Sequence, residues 1–269
     1  MGDLEHALRA RREAGGACFV PYLTGGFPGV DAGLLRAVAE AGADAIEVGV
    51  PHSDPVMDGG VIQQASSAAL GAGATPAGVM ATVREAALDI PVTLMTYVNP
   101  VLRRGVEVFL DEATQAGVSG MIVPDLPVDE AEAFHAACTE RDIDAALLAA
   151  PGAAPSRLSE IGRRSSGFVY CVATYGVTGA RAELGTTAQH LLEALRPLTD
   201  LPLLVGVGIG TPAQAREAAS FADGVIVGSA LMSCMVDGDR TGMLEMVRSF
   251  RAALPLGPTQ TKGHLGGSS

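Results

Sequence analysis

The chain has 269 residues, of which 48% are hydrophobic and 18% charged, and its formal net charge is -12. This composition supplies enough apolar material for a sizeable core and excludes an intrinsically disordered chain. The acidic balance argues against a general nucleic-acid binder and against a protein drawn to anionic membranes, because both need basic patches.

Short apolar runs alternate with longer amphipathic segments along the whole chain. Strand followed by helix, repeated, predicts parallel strands joined by right-handed crossovers, and the near-continuous apolar strands predict a sheet covered on both faces. Eight strands are predicted, at 17–23, 45–49, 92–97, 120–123, 144–149, 168–172, 203–206 and 224–227. Eight such units favour an α/β (β/α)8 TIM barrel, formed as a single domain by residues 1–254, over the rival open doubly wound sheet.

The segments between the strands have the apolar spacing of amphipathic helices. They are 32–41, 76–87, 105–116, 129–141, 154–164, 187–198, 212–219 and 240–254. An extra N-terminal helix at 3–13 is expected to close the N-terminal mouth of the barrel, and a short helix at 62–70 follows the second strand. Residues 255–269, with several Gly and Pro, predict a flexible C-terminal tail.

The second predicted strand contains a carboxylate, Glu47, within an apolar run. Strand alternation puts Glu47 and Gly49 on the barrel side and Ile46 and Val48 on the helix side. A buried carboxylate costs several kcal/mol unless it is paired, hydrogen-bonded or protonated. Pairing with a polar neighbour, simply to fill a barrel layer, is one explanation. A functional role is favoured, because perturbed carboxylates concentrate at functional sites.

Asp58 lies in the loop that follows this strand, at the barrel face where active sites form. Aspartate is common in turns for local reasons, so Asp58 alone would be read as structural. Together with Glu47 it offers one buried and one more solvated carboxylate near the same mouth. Two carboxylates in different environments are the material of general acid-base catalysis.

Three glycine-rich loops, 175–180, 205–212 and 227–230, follow later strands. The last two follow the seventh and eighth strands, where barrels frequently bind phosphate with backbone N–H groups and a short helix N-terminus. Thr211 and Pro212 form a plausible helix start, and Ser229 opens another. The loops could be only tight turns, but their two positions favour a phosphate site.

The four cysteines, Cys18, Cys138, Cys171 and Cys234, are far apart in apolar segments, which predicts buried reduced thiols rather than a metal site. The N-terminal residues contain no apolar signal region, and no stretch of about 18 apolar residues occurs. The expected location is cytoplasmic.

Five motifs are specific enough to indicate a known family. They are Glu-Val-Gly-Val-Pro-His-Ser-Asp-Pro-x-x-Asp-Gly at 47–59, Met-Thr-Tyr-x-Asn-Pro at 95–100, Pro-Asp-Leu-Pro at 124–127, Gly-Val-Thr-Gly at 176–179 and Ala-Asp-Gly-Val-Ile-Val-Gly-Ser-Ala at 222–230. In this order they strongly resemble the tryptophan synthase alpha subunit family, from about the first strand to the last helix.

The resemblance implies a lyase that splits indole-3-glycerol phosphate into indole and glyceraldehyde 3-phosphate, in tryptophan biosynthesis. It implies no metal or organic cofactor, and a beta-subunit partner in an α2β2 heterotetramer. Glu47 matches the family's catalytic glutamate, Asp58 the aspartate that accepts the indole N–H, and Tyr170 the tyrosine beside the glutamate.

Other positions match the family's binding residues. Those that wall the indole are Tyr22, Met95, Tyr97 and Pro124; those near the phosphate are Thr178, Gly179, Val207, Gly208, Gly228 and Ser229. Departures occur at Thr174, where the family has a loop arginine, at Phe27, where many members have Asp, and at Gly60, where Pro is usual. They spare the catalytic pair and fall in loops that close the site and signal to the partner.

Three alternatives stay open at this point. One is a stand-alone lyase of the same family that supplies free indole, and another is a non-catalytic allosteric partner of a beta subunit. The third is a different phosphate-handling barrel enzyme. A Schiff-base aldolase would need an inward lysine, and the only lysine, Lys262, lies in the predicted tail.

Overall fold

The computed structural model describes residues 1–172, 181–206 and 208–257. Within these residues, eight parallel strands form a closed barrel in which each strand pairs with the next and the last pairs with the first. The predicted (β/α)8 TIM barrel is therefore confirmed. The strands are β1 Cys18–Thr24, β2 Ile46–Gly49, β3 Val92–Met95, β4 Val118–Ile122, β5 Asp144–Ala149, β6 Val169–Val172, β7 Leu203–Gly206 and β8 Gly224–Val227.

The helices surround the barrel, and several begin at a residue suited to cap them. Asp31 accepts the backbone N–H of Leu34, and Thr211 forms a reciprocal capping box with Gln214. None of the described helices is long and apolar enough to cross a bilayer. They are α1 Asp3–Glu13, α2 Ala32–Glu40, α3 Gly60–Gly71, α4 Pro76–Ala86, α5 Val98–Arg104, α6 Val106–Gln115, α7 Glu132–Thr139, α8 Pro155–Arg164, α9 Arg181–Leu195, α10 Pro212–Ala218, α11 Ser229–Val236 and α12 Arg240–Ala253.

The main difference from the predicted elements follows β3. The strand ends at Met95 rather than at residue 97. Helix α5, which was not predicted, begins at Val98. Tyr97 is extended and serves as the N-cap residue of α5. Pro100 lies in the first turn of α5, where a missing N–H costs no helical hydrogen bond.

Helix α1 closes the N-terminal mouth of the barrel, as predicted. Leu4 and Leu8 are fully buried and pack among the inward-facing side chains of the strands. Gly2 supplies no side-chain cap for this helix. Asp144, at the start of β5, takes that role because its Oδ2 accepts the backbone N–H of Glu5 at 2.9 Å.

A second buried polar contact ties both chain ends to the barrel. Asp44 Oδ2 accepts the backbone N–H of Phe19 at 2.8 Å and a guanidinium N–H of Arg251 at 2.9 Å. Arg251 also donates to Pro255 O, and Leu256 forms an antiparallel bridge with Gly16. The first residues of the predicted tail are thus paired rather than frayed; residues 258–269 lie outside the described part.

All four cysteines are free. Cys18, Cys138 and Cys171 are buried, as predicted, whereas Cys234 on α11 is only half-buried. Burial raises the pKa of the Cys18 and Cys171 thiols far above the usual range, so these groups stay protonated.

The contact between Asp144 and α1 generates a stability prediction. Asp144→Ala removes the acceptor for the Glu5 N–H and should lower the free energy of unfolding by about 1–2 kcal/mol, the usual cost of losing a helix cap. Urea unfolding measures the change. The control is Asp129→Ala, which breaks an exposed ion pair with Arg157 and should cost less than about 1 kcal/mol. Equal losses in both variants would contradict the capping role.

Candidate active site

A cavity of about 480 Å³ opens at the carboxyl ends of the strands, the face where barrels place their active sites. It extends from the barrel interior to the loops after β2, β7 and β8. Most of the site residues predicted from the sequence line it: Tyr22, Glu47, Asp58, Met95, Pro124, Tyr170, Gly208, Gly228 and Ser229.

Glu47 projects from β2 into this cavity, while Ile46 and Val48 pack in the outer core against the helices. The predicted inward orientation is confirmed. Its residue is only 1% exposed, and its Oε2 has no hydrogen-bond partner within the described residues. Burial, and secondarily the nearby charge of Asp58, raises the pKa of Glu47 to about 8. The carboxyl is therefore protonated at neutral pH and close enough to its pKa to exchange a proton.

Asp58 lies on the loop between β2 and α3, at the mouth of the same cavity. Tyr97 donates its hydroxyl to Asp58 Oδ2 at 3.0 Å. Burial raises the pKa of Asp58, while the hydrogen bond from Tyr97 and the charge of His52 oppose that rise. Asp58 is thus the more readily ionised of the two carboxyls.

Tyr97 is assigned to the indole wall by the family resemblance, and that role stays a prediction. In the structure its hydroxyl contacts Asp58 of the cavity wall, while Tyr97 itself is not among the residues that line the cavity. Its hydroxyl donates to Asp58 and accepts the backbone N–H of Met57 at 3.0 Å. Its ring stacks on His52 with a centroid distance of 4.8 Å. Tyr97 therefore supports the aspartate loop from behind.

Two buried tyrosines occupy space left by glycines on neighbouring strands. A Cβ built on Gly49 of β2 would overlap the hydroxyl of Tyr22, and one built on Gly206 of β7 would overlap the hydroxyl of Tyr170. Burial raises the pKa of both phenols, so they stay neutral at physiological pH. The Glu47 carboxylate also contributes to the raised pKa of Tyr170, which places that phenol near the glutamate.

Another part of the cavity wall is formed by glycine-rich backbone after β7 and β8. Gly208 has a φ of +86°, which favours glycine, and Gly228 is the N-cap residue of α11. No side chain caps α11 at this residue, and Ser229 and Ala230 of its first turn line the cavity. The first N–H groups of a helix bind anions readily. Thr178, Gly179 and Val207, also predicted near the phosphate, lie outside the described residues.

The apolar wall was largely missed by the sequence analysis. The apolar part of the cavity lining includes Ile62, Ile122, Leu148, Val172, Ile209 and Ile226. Strand alternation could have identified some of them, since Val172 follows Tyr170 by two residues and so shares its face. Within the described residues, no group of three or more His, Cys, Asp or Glu is placed to hold a metal ion.

Comparison with known proteins identifies a matching family. A sequence model of the tryptophan synthase alpha chain matches residues 8–253. The tryptophan synthase alpha chain of Streptomyces avermitilis is 46% identical over 259 residues, which cover 94% of this chain and 94% of that one. The alpha chain of a Synechocystis species is 44% identical over 255 residues and covers 93% and 97% of the two chains.

Solved structures agree. A tryptophan synthase structure from Mycobacterium tuberculosis in space group F222 has a TM-score of 0.87 and 38% identity, over 95% of this chain and 99% of that one. The tryptophan synthase alpha subunit of Legionella pneumophila has a TM-score of 0.86 and 29% identity, over 94% and 98%. With the family model spanning the barrel and these identities over nearly its whole length, the chain belongs to the tryptophan synthase alpha chain family.

Proposed function

We propose that the protein cleaves indole-3-glycerol phosphate to indole and glyceraldehyde 3-phosphate, as the alpha subunit of a tryptophan synthase. One observation carries the proposal: a buried carboxyl, Glu47, whose Oε2 has no hydrogen-bond partner among the described residues, shares an apolar cavity with the better-solvated Asp58. Family membership supports lyase activity in tryptophan biosynthesis.

Glu47 supplies both proton transfers that the cleavage needs. In its protonated form it gives a proton to indole C3, which makes the ring an electron sink. The resulting carboxylate then takes the proton of the side-chain hydroxyl. As that oxygen becomes the aldehyde carbonyl, the carbon–carbon bond breaks and its electron pair returns to the ring. Glu47 ends protonated, as it began, and a raised pKa of about 8 suits both steps.

Asp58 stabilises the charge that develops on the ring. Protonation at C3 puts positive charge on the indole nitrogen, and an ionised Asp58 accepts the N–H and lowers the energy of that state. Tyr97 keeps the carboxylate in position and favours its ionised form, because it donates a hydrogen bond to Oδ2. Tyr170, near Glu47, remains a neutral phenol and contributes no charge of its own.

The apolar wall of the cavity suits the indole of this substrate, and the glycine-rich backbone suits its phosphate. Ile122, Leu148 and Val172 offer an apolar wall for an indole ring. The uncapped N-terminus of α11, with Gly228 and Ser229, offers backbone N–H groups to a phosphate. This fits a protein with a net charge of -12, in which backbone N–H groups rather than a cluster of basic side chains would bind the anion.

A beta-subunit partner and an α2β2 assembly are part of the same proposal, as is a cytoplasmic location, since the relatives are named as chains of tryptophan synthase. Release of glyceraldehyde 3-phosphate from indole-3-glycerol phosphate, with and without a beta subunit, tests it. No turnover in either case would refute the cleavage. High activity that a beta subunit leaves unchanged would instead favour a stand-alone lyase.

Glu47→Gln is expected to lower the cleavage rate by at least about 100-fold, because an amide can neither give nor take the proton. The fold should survive and, at neutral pH, gain stability, because Glu47 ionises on unfolding and so favours the unfolded wild type, whereas the amide does not ionise. Single-turnover product release and urea unfolding measure the two effects. Glu85→Gln, on the exposed face of α4, is the matched control and should change neither. Wild-type turnover by Glu47→Gln would contradict the proposal.

The stability difference between these two proteins should depend on pH. The pKa of Glu47 is raised in the folded state from 4.5 to about 8, so the folded protein binds more protons than the unfolded chain between these values. The wild type therefore loses stability as pH rises through this window, and Glu47→Gln does not share that loss. Unfolding free energies at several pH values should show a gap that widens from pH 4.5 to pH 8. A constant gap would contradict the raised pKa.

The rate should also fall at high pH. Cleavage begins from protonated Glu47, so kcat/KM should decline above about pH 8, the pKa of that group. A steady-state profile of kcat/KM against pH measures this alkaline limb. Tyr170→Phe should leave the pH of the limb unchanged, because the Tyr170 pKa lies well above 10. A limb that disappears in this variant would assign it to the phenol instead.

A further inference from the structure

His52 lies behind Asp58, outside the residues that line the cavity. It follows β2 and is half-buried. Its ring lies nearly parallel to that of Tyr97, with an interplanar angle of 20° and a centroid distance of 4.8 Å. This is the geometry of an attractive stacked pair. The contact joins the loop after β2 to the loop after β3.

The hydroxyl of Tyr97 is the link from this stack to the catalytic loop. It donates to Asp58 Oδ2 and accepts the backbone N–H of Met57, each at 3.0 Å. The other hydrogen bonds to the backbone of this loop among the described residues are local: Val56 donates to Asp54 O, Asp58 to Pro55 O, and the Gln63 side chain to Asp58 O. Val56 and Met57 are 77% and 51% exposed, so burial of their side chains holds the loop only weakly.

We propose that His52 is a positioning residue for the cleavage reaction. Its ring stacks on Tyr97 and so holds the phenol hydroxyl where it binds both Asp58 and the Met57 N–H. The proposal rests on the proposed role of Asp58 at the indole N–H. It assigns His52 no contact with substrate and no proton transfer of its own.

Shape and charge make separable contributions. Among the described residues, the titratable groups that interact with Asp58 are the Tyr97 hydroxyl, the His52 ring and Glu47, together with the buried phenols of Tyr22 and Tyr170. Positive charge on His52 favours the ionised form of Asp58, whereas the stack acts through the orientation of Tyr97 whatever the charge on the ring. A phenylalanine at residue 52 keeps a flat ring and removes the charge. An alanine removes both.

The test compares His52→Ala, His52→Phe and the matched control His190→Ala, which replaces an exposed histidine on α9. In the holoenzyme, His52→Ala should lower kcat/KM by about three- to tenfold, the range set by the loss of one aromatic stack. His52→Phe should restore it to within about twofold of wild type, and His190→Ala should match wild type. Thermal unfolding of each variant checks that the barrel is intact.

A double-mutant cycle shows whether His52 acts through the Tyr97 hydroxyl. Tyr97→Phe keeps the ring but removes the donor to Asp58, which raises the pKa of Asp58 and should move the acid limb of kcat/KM to higher pH. In this background, His52→Ala should lower kcat/KM by less than about twofold, because the hydroxyl it orients is absent.

The inference would be overturned by wild-type kcat/KM in His52→Ala, by His52→Phe losing as much as His52→Ala, or by an undiminished effect of His52→Ala in the Tyr97→Phe background. These outcomes differ from failure of the proposed function, which would appear as no turnover by the wild type or full turnover by Asp58→Asn. The His52 variants therefore test positioning in an enzyme that is active as the wild type and inactive as Asp58→Asn.

Discussion

The buried carboxyl of Glu47, whose Oε2 has no hydrogen-bond partner in the described part of the chain, is the constraint on which the candidate site depends. The barrel ladder pairs Glu47 with Tyr22 on β1 and with Thr93 on β3, so its place in the register is set from both sides. A slip of one residue would turn Glu47 toward the helices and Ile46 into the cavity. Closure of the sheet is thus what keeps an energetically costly group facing the substrate, and its raised pKa follows from that enclosure.

The N-terminal end of the barrel carries contacts that stabilise the fold, and the C-terminal end carries the candidate active site. At the N-terminal end, buried carboxylates hold elements together: Asp144 binds the start of α1, and Asp44 joins β1 to α12 through Phe19 N–H and Arg251, whose Nε has no partner among the described residues. At the other end, Glu47 Oε2 also has no partner among them, and the N-terminus of α11 has no side-chain cap. Beside the cavity, a bound ligand can satisfy such groups. This division is the usual one in barrel enzymes.

The sequence predicted the barrel and the orientation of Glu47 because both depend on local periodicity. Alternation within 45–49 is enough to place one side chain inside, and repeated strand–helix units are enough to indicate closure. Helix α5 could not be predicted in this way, since Pro100 is tolerated only because it falls in a first turn. The same limit applies to Tyr97. The family resemblance alone assigned it to the indole wall, and only the three-dimensional path of the loop after β2 brings Asp58 and Met57 to its hydroxyl.

Gly49 and Gly206 contribute to the site through the volume they leave unfilled. Tyr22 reaches across to β2 and Tyr170 across to β7, and each phenol end lies where a methyl group on the neighbouring strand would collide with it. A side chain at residue 49 therefore requires Tyr22 to shift or to be smaller, and one at residue 206 requires the same of Tyr170. Each tyrosine thus constrains a position on the next strand that carries no functional group.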